Sequence, residues 1–146
     1  GVGQDAPETD LAAERLADLQ RLQAEYVNYK RRVDRDRAEI QQRAIGDVLE
    51  SLLPVLDEIN LAREHGDLAE GPFRSIADKL EGSLGRYGLE RFGAVGEAFD
   101  PMLHEALMHE DADDVETATI SLVMQPGYAM NDRVLRPARV GTRGPA

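Results

Sequence analysis

Between Leu11 and Gln42 the chain runs without a glycine or a proline. A stretch this long, free of the two residues that most readily interrupt a helix, predicts one continuous helix. Its apolar positions Leu19, Leu22, Tyr26, Tyr29, Val33 and Ile40 follow three–four spacing, and Asp36 takes the next seam position. The result is a narrow coiled-coil-like stripe with charge around the rest. A stripe so narrow provides no core of its own. The helix therefore needs a partner, most simply a second copy of itself in a parallel dimer. A lone solvated helix is the alternative, and polar-rich helices of this kind are marginal in water.

The next apolar pattern is denser. Ile45, Val48, Leu49, Leu52, Leu53, Leu56 and Ile59 cover a wide helical face, with Pro54 inside it. A kink or break is expected near Glu50–Leu53, because Pro54 removes a backbone bond. That helix is expected to end around His65-Gly66. Gly71-Pro72 opens another, with proline at its first position. Phe73, Ile76, Ala77, Leu80, Leu84 and Tyr87 keep the helical rhythm until Gly88 closes it. Two such helices make a hairpin, and two chains would make a four-helix bundle.

After Gly88 the periodicity changes. In Thr117–Gln125 strict alternation predicts a half-buried strand, with Ala118, Ile120, Leu122 and Met124 on one face. Pro126-Gly127 supplies type II turn chemistry and Asn131-Asp132 a second turn. Arg133–Arg136 then reads as an edge strand before Pro137. The expected organisation is α+β. Residues 1–8 form a flexible start, 9–50 a long dimerising helix, 51–88 a helical hairpin, 89–141 a compact β domain and 142–146 a tail.

Composition narrows the function. With 28 acidic and 17 basic side chains the net charge is −11, which repels nucleic acid and anionic membranes and leaves proteins as partners. Residues 97–116 are acidic with no Lys or Arg, whereas 117–146 carry four arginines against one aspartate. The acidic stretch 97–116 beside the basic 133–139 is expected to steer docking onto a charged partner lobe. There is no cysteine, which removes disulfides, thiolate catalysis and cysteine-based metal sites. No apolar run approaches the roughly 18–20 residues that span a bilayer, and a cytoplasmic location is the default expectation.

Apparent catalytic motifs dissolve on inspection of their spacing. His104 and His109 flank Glu105, but zinc chelation on a helix needs two histidines four apart, not five. The glycines of Gly82–Gly88 lack phosphate-loop spacing and a preceding strand, so no nucleotide or other cofactor is expected. Nor is there a nucleophile elbow. The chain reads as a binding protein and not an enzyme, with no small-molecule substrate.

Four segments, in order, resemble the GrpE family of nucleotide-exchange co-chaperones. They are Asn28-Tyr29-Lys30-Arg31-Arg32, then Leu52-Leu53-Pro54-Val55-Leu56-Asp57, then Phe99-Asp100-Pro101 with His104-Glu105-Ala106. The last is Met124-Gln125-Pro126-Gly127-Tyr128 with Asn131-Asp132-Arg133-Val134-Leu135-Arg136-Pro137-Ala138. The resemblance covers about Leu19 to Val140. It implies a homodimer of long paired helices, a four-helix bundle and one β domain per chain. The family's acidic N-terminal tail looks shortened in this chain.

The resemblance also implies a partner, the ATPase domain of a DnaK-type chaperone, whose nucleotide cleft is held open so that ADP leaves. The contacts it implies are Lys30, Arg31, Glu64, Phe99, Pro101, Met124 and Arg133. Read without it, Lys30 and Arg31 belong to a solvated helix face, and Phe99 and Met124 to the core of a small sheet. Arg133 follows a turn and is expected to be exposed. The dimer interface it implies joins Leu19, Leu22, Tyr26, Tyr29, Val33 and Ile40 to Leu49, Leu52 and Leu56. The family is regarded as a thermosensor through melting of the long helix pair, and Asp36 in the seam fits that expectation. The rival reading is a passive coiled-coil adaptor or scaffold.

Overall fold

The structure, a computed structural model, describes the backbone from Val2 to Ala146 and the side chains from Pro7 onward. It divides into two compact units, residues 1–44 and 45–146. The elements in chain order are α1 (Val2–Glu64), α2 (Pro72–Gly85), β1 (Leu89–Phe92), β2 (His104–Asp111), β3 (Thr119–Gln125), β4 (Gly127–Met130), β5 (Arg133–Arg136) and β6 (Ala138–Gly144). This is the expected α+β class.

Residues 2–8, read from sequence as a flexible start, are helical, while Gly1 lies outside the described residues. Adding residues to a formed helix costs far less than nucleating one, so α1 extends back through them. The first unit is helix alone. Leu19, Leu22, Tyr26, Tyr29 and Ile40 are all more than half exposed, and only Val33 is half-buried.

In the second unit α1 passes through Pro54 without the expected break and ends at Glu64. Pro54 and Glu50 are both exposed, so the carbonyl that loses its donor faces water. On the opposite side Leu49, Leu53 and Leu56 are buried on both sides of the proline. Gly66, with φ of 79°, takes the left-handed conformation that stops the helix. α2 opens at Pro72 after Gly71, as expected, but ends at Gly85 and not at Gly88.

The β region is two three-stranded sheets. The first has order β1-β4-β5, antiparallel, with β5 at the edge before Pro137. The second has order β2-β6-β3, with β6 parallel to β2 and antiparallel to β3. The expected tail is therefore corrected: Thr142 to Gly144 belong to the central strand of the second sheet, and Thr142 is buried. One core gathers Leu49, Leu53, Leu56, Leu84, Tyr128, Met130 and Leu135; the other joins Ile120, Ala138 and Val140 to Phe92, Phe99 and Val123.

Two strand expectations change for local reasons. Register shifts at Ile120/Leu122 and Val123/Gln125 interrupt the alternation of β3. Such a bulge moves later residues to the other face. Ile120 stays buried, Val123 packs on the core, and Leu122 and Met124 turn outward. The Pro126-Gly127 pair, read as a type II turn, instead carries the chain from one sheet to the other, and Gly127 is without positive φ. Glycine is required there by close approach. A Cβ on Gly127 would run into the Phe92 ring and lie 2.8 Å from the backbone nitrogen of Ala138.

Gly127→Ala is therefore expected to destabilise the chain by about 1–3 kcal/mol, the usual cost of forcing atoms into a packed site. A urea titration should show a lower midpoint with an unchanged slope.

Candidate docking face

Lys30 and Arg31 lie in the first unit, exposed, and neither forms an ion pair among the described residues. The other candidate contacts lie in the second unit. Glu64 is the exposed last residue of α1, and Met124 is 40% exposed on β3.

What places them is a polar network between α1 and the first sheet. Arg136 Nη1 and Nη2 donate to the two oxygens of Asp57 at 2.8 and 2.6 Å, a bidentate pair. Its Nε and Nη2 also donate to the Pro126 carbonyl at 3.0 and 2.9 Å. The guanidinium lies 5.3 Å from the centre of the Tyr128 ring. Asn60, on the next turn of α1, donates from Nδ2 to Tyr128 Oη at 3.1 Å and accepts Arg91 Nη1 at 2.7 Å. At the end of the helix Arg63 binds Glu81 at 2.5 Å and Asp78 at 2.9 Å, which ties α1 to α2.

Beside this network runs an open groove of about 680 Å³ whose lining includes Leu61, Glu64, Arg91, Leu107, Met124 and Arg139. It brings Glu64 and Met124 onto one surface. An adaptable methionine facing outward is a common protein-docking feature.

Phe99 is half-buried, its ring tilted 36° against that of His104 with centres 5.8 Å apart. His104 is buried, and its Nδ1 accepts the Asp100 N–H at 2.9 Å. The Asp100 carboxylate accepts the Met102 N–H at 2.9 Å. Together these bonds fix the turn that leaves Pro101 and Met102 exposed. Phe99 thus takes the core role that a sequence reading without the resemblance gives it.

Arg133 is exposed, with its guanidinium 3.4 Å from Asp47. It also covers Gly46, where a Cβ would come within 2.6 Å of its Nη1. The remaining C-terminal arginines likewise face carboxylates: Arg139 reaches Glu105 at 3.5 Å and Arg143 reaches Asp114 at 2.8 Å. The hydrogen bonds from Arg143 hold the Asp114 carboxyl below its ordinary range. Two of these arginines thus meet the acidic stretch 97–116, at Glu105 and Asp114, whereas Arg133 and Arg136 pair with Asp47 and Asp57 on α1. His109, apart from His104, meets Thr142 Oγ1 at 2.8 Å.

Two expected dimer residues are corrected. Leu49 and Leu56 are 3% and 2% exposed in the chain's own core, against Leu84, Tyr128, Met130 and Leu135, and present almost no surface to a second chain. The buried side of that wide apolar face packs against α2 and the first sheet, while Val48 stays exposed.

Sequence reasoning missed Asn60 and Arg91 as surface residues. Asp57 and Arg136 lay inside two of the recognised segments, but nothing in either segment signalled that they meet.

A helical first unit with an uncovered apolar stripe, and a second unit that presents an open, mixed-polarity groove, define an α+β chain. The particular family follows from comparison. The GrpE family model matches residues 8–143, and the chain belongs to the GrpE family. Proteins named "Protein GrpE" are similar to it. That of Streptomyces coelicolor is 53% identical over 132 residues, covering 90% of this chain and 58% of the relative. That of Mycolicibacterium paratuberculosis is 50% identical over 133 residues, covering 91% and 58%. That of Mycobacterium tuberculosis H37Rv is 49% identical over 139 residues, covering 94% and 59%. The chain thus spans somewhat under two thirds of the length of these relatives. Among the described residues no helix is long and apolar enough to cross a membrane.

The bidentate pair makes a testable claim. Asp57→Asn keeps the shape but removes the charge, leaving a guanidinium only 17% exposed without its counter-ion. A loss of about 1–3 kcal/mol in chemical denaturation is expected.

Proposed function

We propose that this chain is a nucleotide-exchange co-chaperone that binds the ATPase domain of a DnaK-type chaperone, opens its nucleotide cleft and speeds release of ADP. It acts as a binding protein in the cytoplasm, without catalysis or a cofactor of its own. The observation that carries the reading is Met124. The bulge in β3 turns this side chain out of the core, and it lines one groove with Glu64. Both are residues that the family resemblance assigns to the partner surface.

An exchange factor can favour the open cleft only by contacting the open form better than the closed one. Coupling is reciprocal, so a protein that expels ADP is itself released when nucleotide rebinds and closes the cleft. Met124, Glu64, Pro101 and Arg133 are the proposed contacts in the second unit, with Phe99 supporting the turn beneath Pro101. Lys30 and Arg31 are proposed contacts on the first. A rigid support lowers the ordering cost of such binding, and the Asp57–Arg136 pair provides one.

Self-association belongs to the same proposal. Leu19, Leu22, Tyr26, Tyr29 and Ile40 are covered by a second copy, and Val33 completes the seam. Near the hairpin, Val48, Val55, Phe73 and Ile76 are 46–72% exposed and replace Leu49 and Leu56 as the apolar surface of a four-helix bundle, beside Leu52. With Asp36 in it, the seam is the part that melts first on heating. A scaffold would use the same seam, but it gives no reason for an outward Met124 beside Glu64.

Stopped-flow release of a fluorescent ADP analogue from a DnaK-type chaperone tests the exchange. The chain should accelerate release by orders of magnitude, and Met124→Ala should lose about tenfold or more of that gain. Binding without acceleration would leave the scaffold reading. Circular dichroism should show a first thermal transition whose midpoint rises with protein concentration. Leu22→Asp should abolish that dependence and sediment as a monomer; a concentration-independent, single-step melt of the unaltered chain would refute the melting seam.

A further inference from the structure

We propose that Arg91 is a specificity-determining cation of the groove, docking a carboxylate on the chaperone's ATPase domain, and that Asn60 positions it. The inference rests on the docking reading above and names chemistry that the partner must present.

The groove's charged residues divide into two kinds. Asp57 is satisfied by Arg136, and Arg139 reaches Glu105. Glu64 and Arg91 have no opposite charge within ion-pair distance among the described residues. Arg91 is exposed near the end of β1, yet its head is not loose. Its Nη1 donates to Asn60 Oδ1 at 2.7 Å, and Asn60 is itself held by Tyr128 Oη, whose ring is buried. Fixed contacts thus run from the core to the guanidinium. An amide anchor orients the group without neutralising it, and most of its N–H donors remain for a planar, bidentate carboxylate. Holding a long side chain in place beforehand reduces the ordering cost of docking.

Met124 and Leu61 line the same groove as these two unpaired charges. The complementary surface therefore offers a carboxylate to Arg91, an apolar side chain to Met124 and a basic group to Glu64. On a chain of net charge −11, acidic surfaces in general are repelled. Within the groove, a surface that places its carboxylate on Arg91 recovers part of that penalty, which makes the residue a device of selectivity.

The test measures binding of the unaltered chain and its variants to a DnaK-type chaperone across a salt series, alongside ADP release. Arg91→Ala should weaken binding about tenfold and flatten the salt dependence. Arg91→Glu should also slow association, and Arg91→Lys should restore only part of the loss because an ammonium lacks the planar fork. Asn60→Ala should weaken binding when Arg91 is present and add nothing to Arg91→Ala. The Arg91 variants should melt like the unaltered chain, which separates the effect from folding. If Arg91→Glu binds normally while Met124→Ala fails, the inference is overturned and the exchange reading survives. Full additivity of Asn60→Ala with Arg91→Ala overturns the positioning role. If the unaltered chain neither binds the chaperone nor accelerates ADP release, the reading beneath the inference falls first.

Discussion

The second unit depends on one guanidinium. Arg136 binds both oxygens of Asp57, the carbonyl of Pro126 and the face of Tyr128 at once. A helix, the crossing between two sheets and a central strand are thereby fixed to a single planar group. The leucines of α1 supply most of the burial, but an aliphatic face tolerates small slides along its own axis. The ion pair does not, because two parallel N–H···O bonds form at one helical register only. Asn60, Leu61 and Glu64 are set opposite β4 and the groove as a result. Partly burying the charges is tolerable because each meets the other and Arg136 also has the Pro126 carbonyl as acceptor.

Much of this was legible in the chain. Periodicity marked α1, α2 and the strand character of Thr119–Gln125, while Gly71-Pro72 and His65-Gly66 marked helix ends, because each signal is local. The Arg133–Arg136 edge strand and the Asn131 turn were readable for the same reason, Asn131 taking a φ of 53°. Identity at the family level came from four short segments in order, and comparison upholds it.

What escaped reading was non-local. The wide leucine face around Pro54 predicts burial but not the partner that provides it, and the partner is the chain's own α2 and first sheet. Pro54 fails to break α1 because its exposed face leaves the orphaned carbonyl to water, a fact about surroundings and not about the residue. Bulges in β3 reverse the side of Met124 without any mark in TATISLVMQ. Asp57 and Arg136, 79 positions apart, carry no mutual signal in one sequence. The candidate site was thus visible as residue types, and its geometry was not.

The order β2-β6-β3 has a consequence for how the molecule comes into being. Both outer strands of that sheet precede β6, the strand that joins them, although the start of β3 also bonds residues 96–99. β2 and β3 are not joined until β6 arrives, so closure of the sheet is long-range, whereas the hydrogen bonds of the helices are local. During synthesis the helices can form while β2 and β3 wait, and the last-made strand of the three decides whether there is a second core at all.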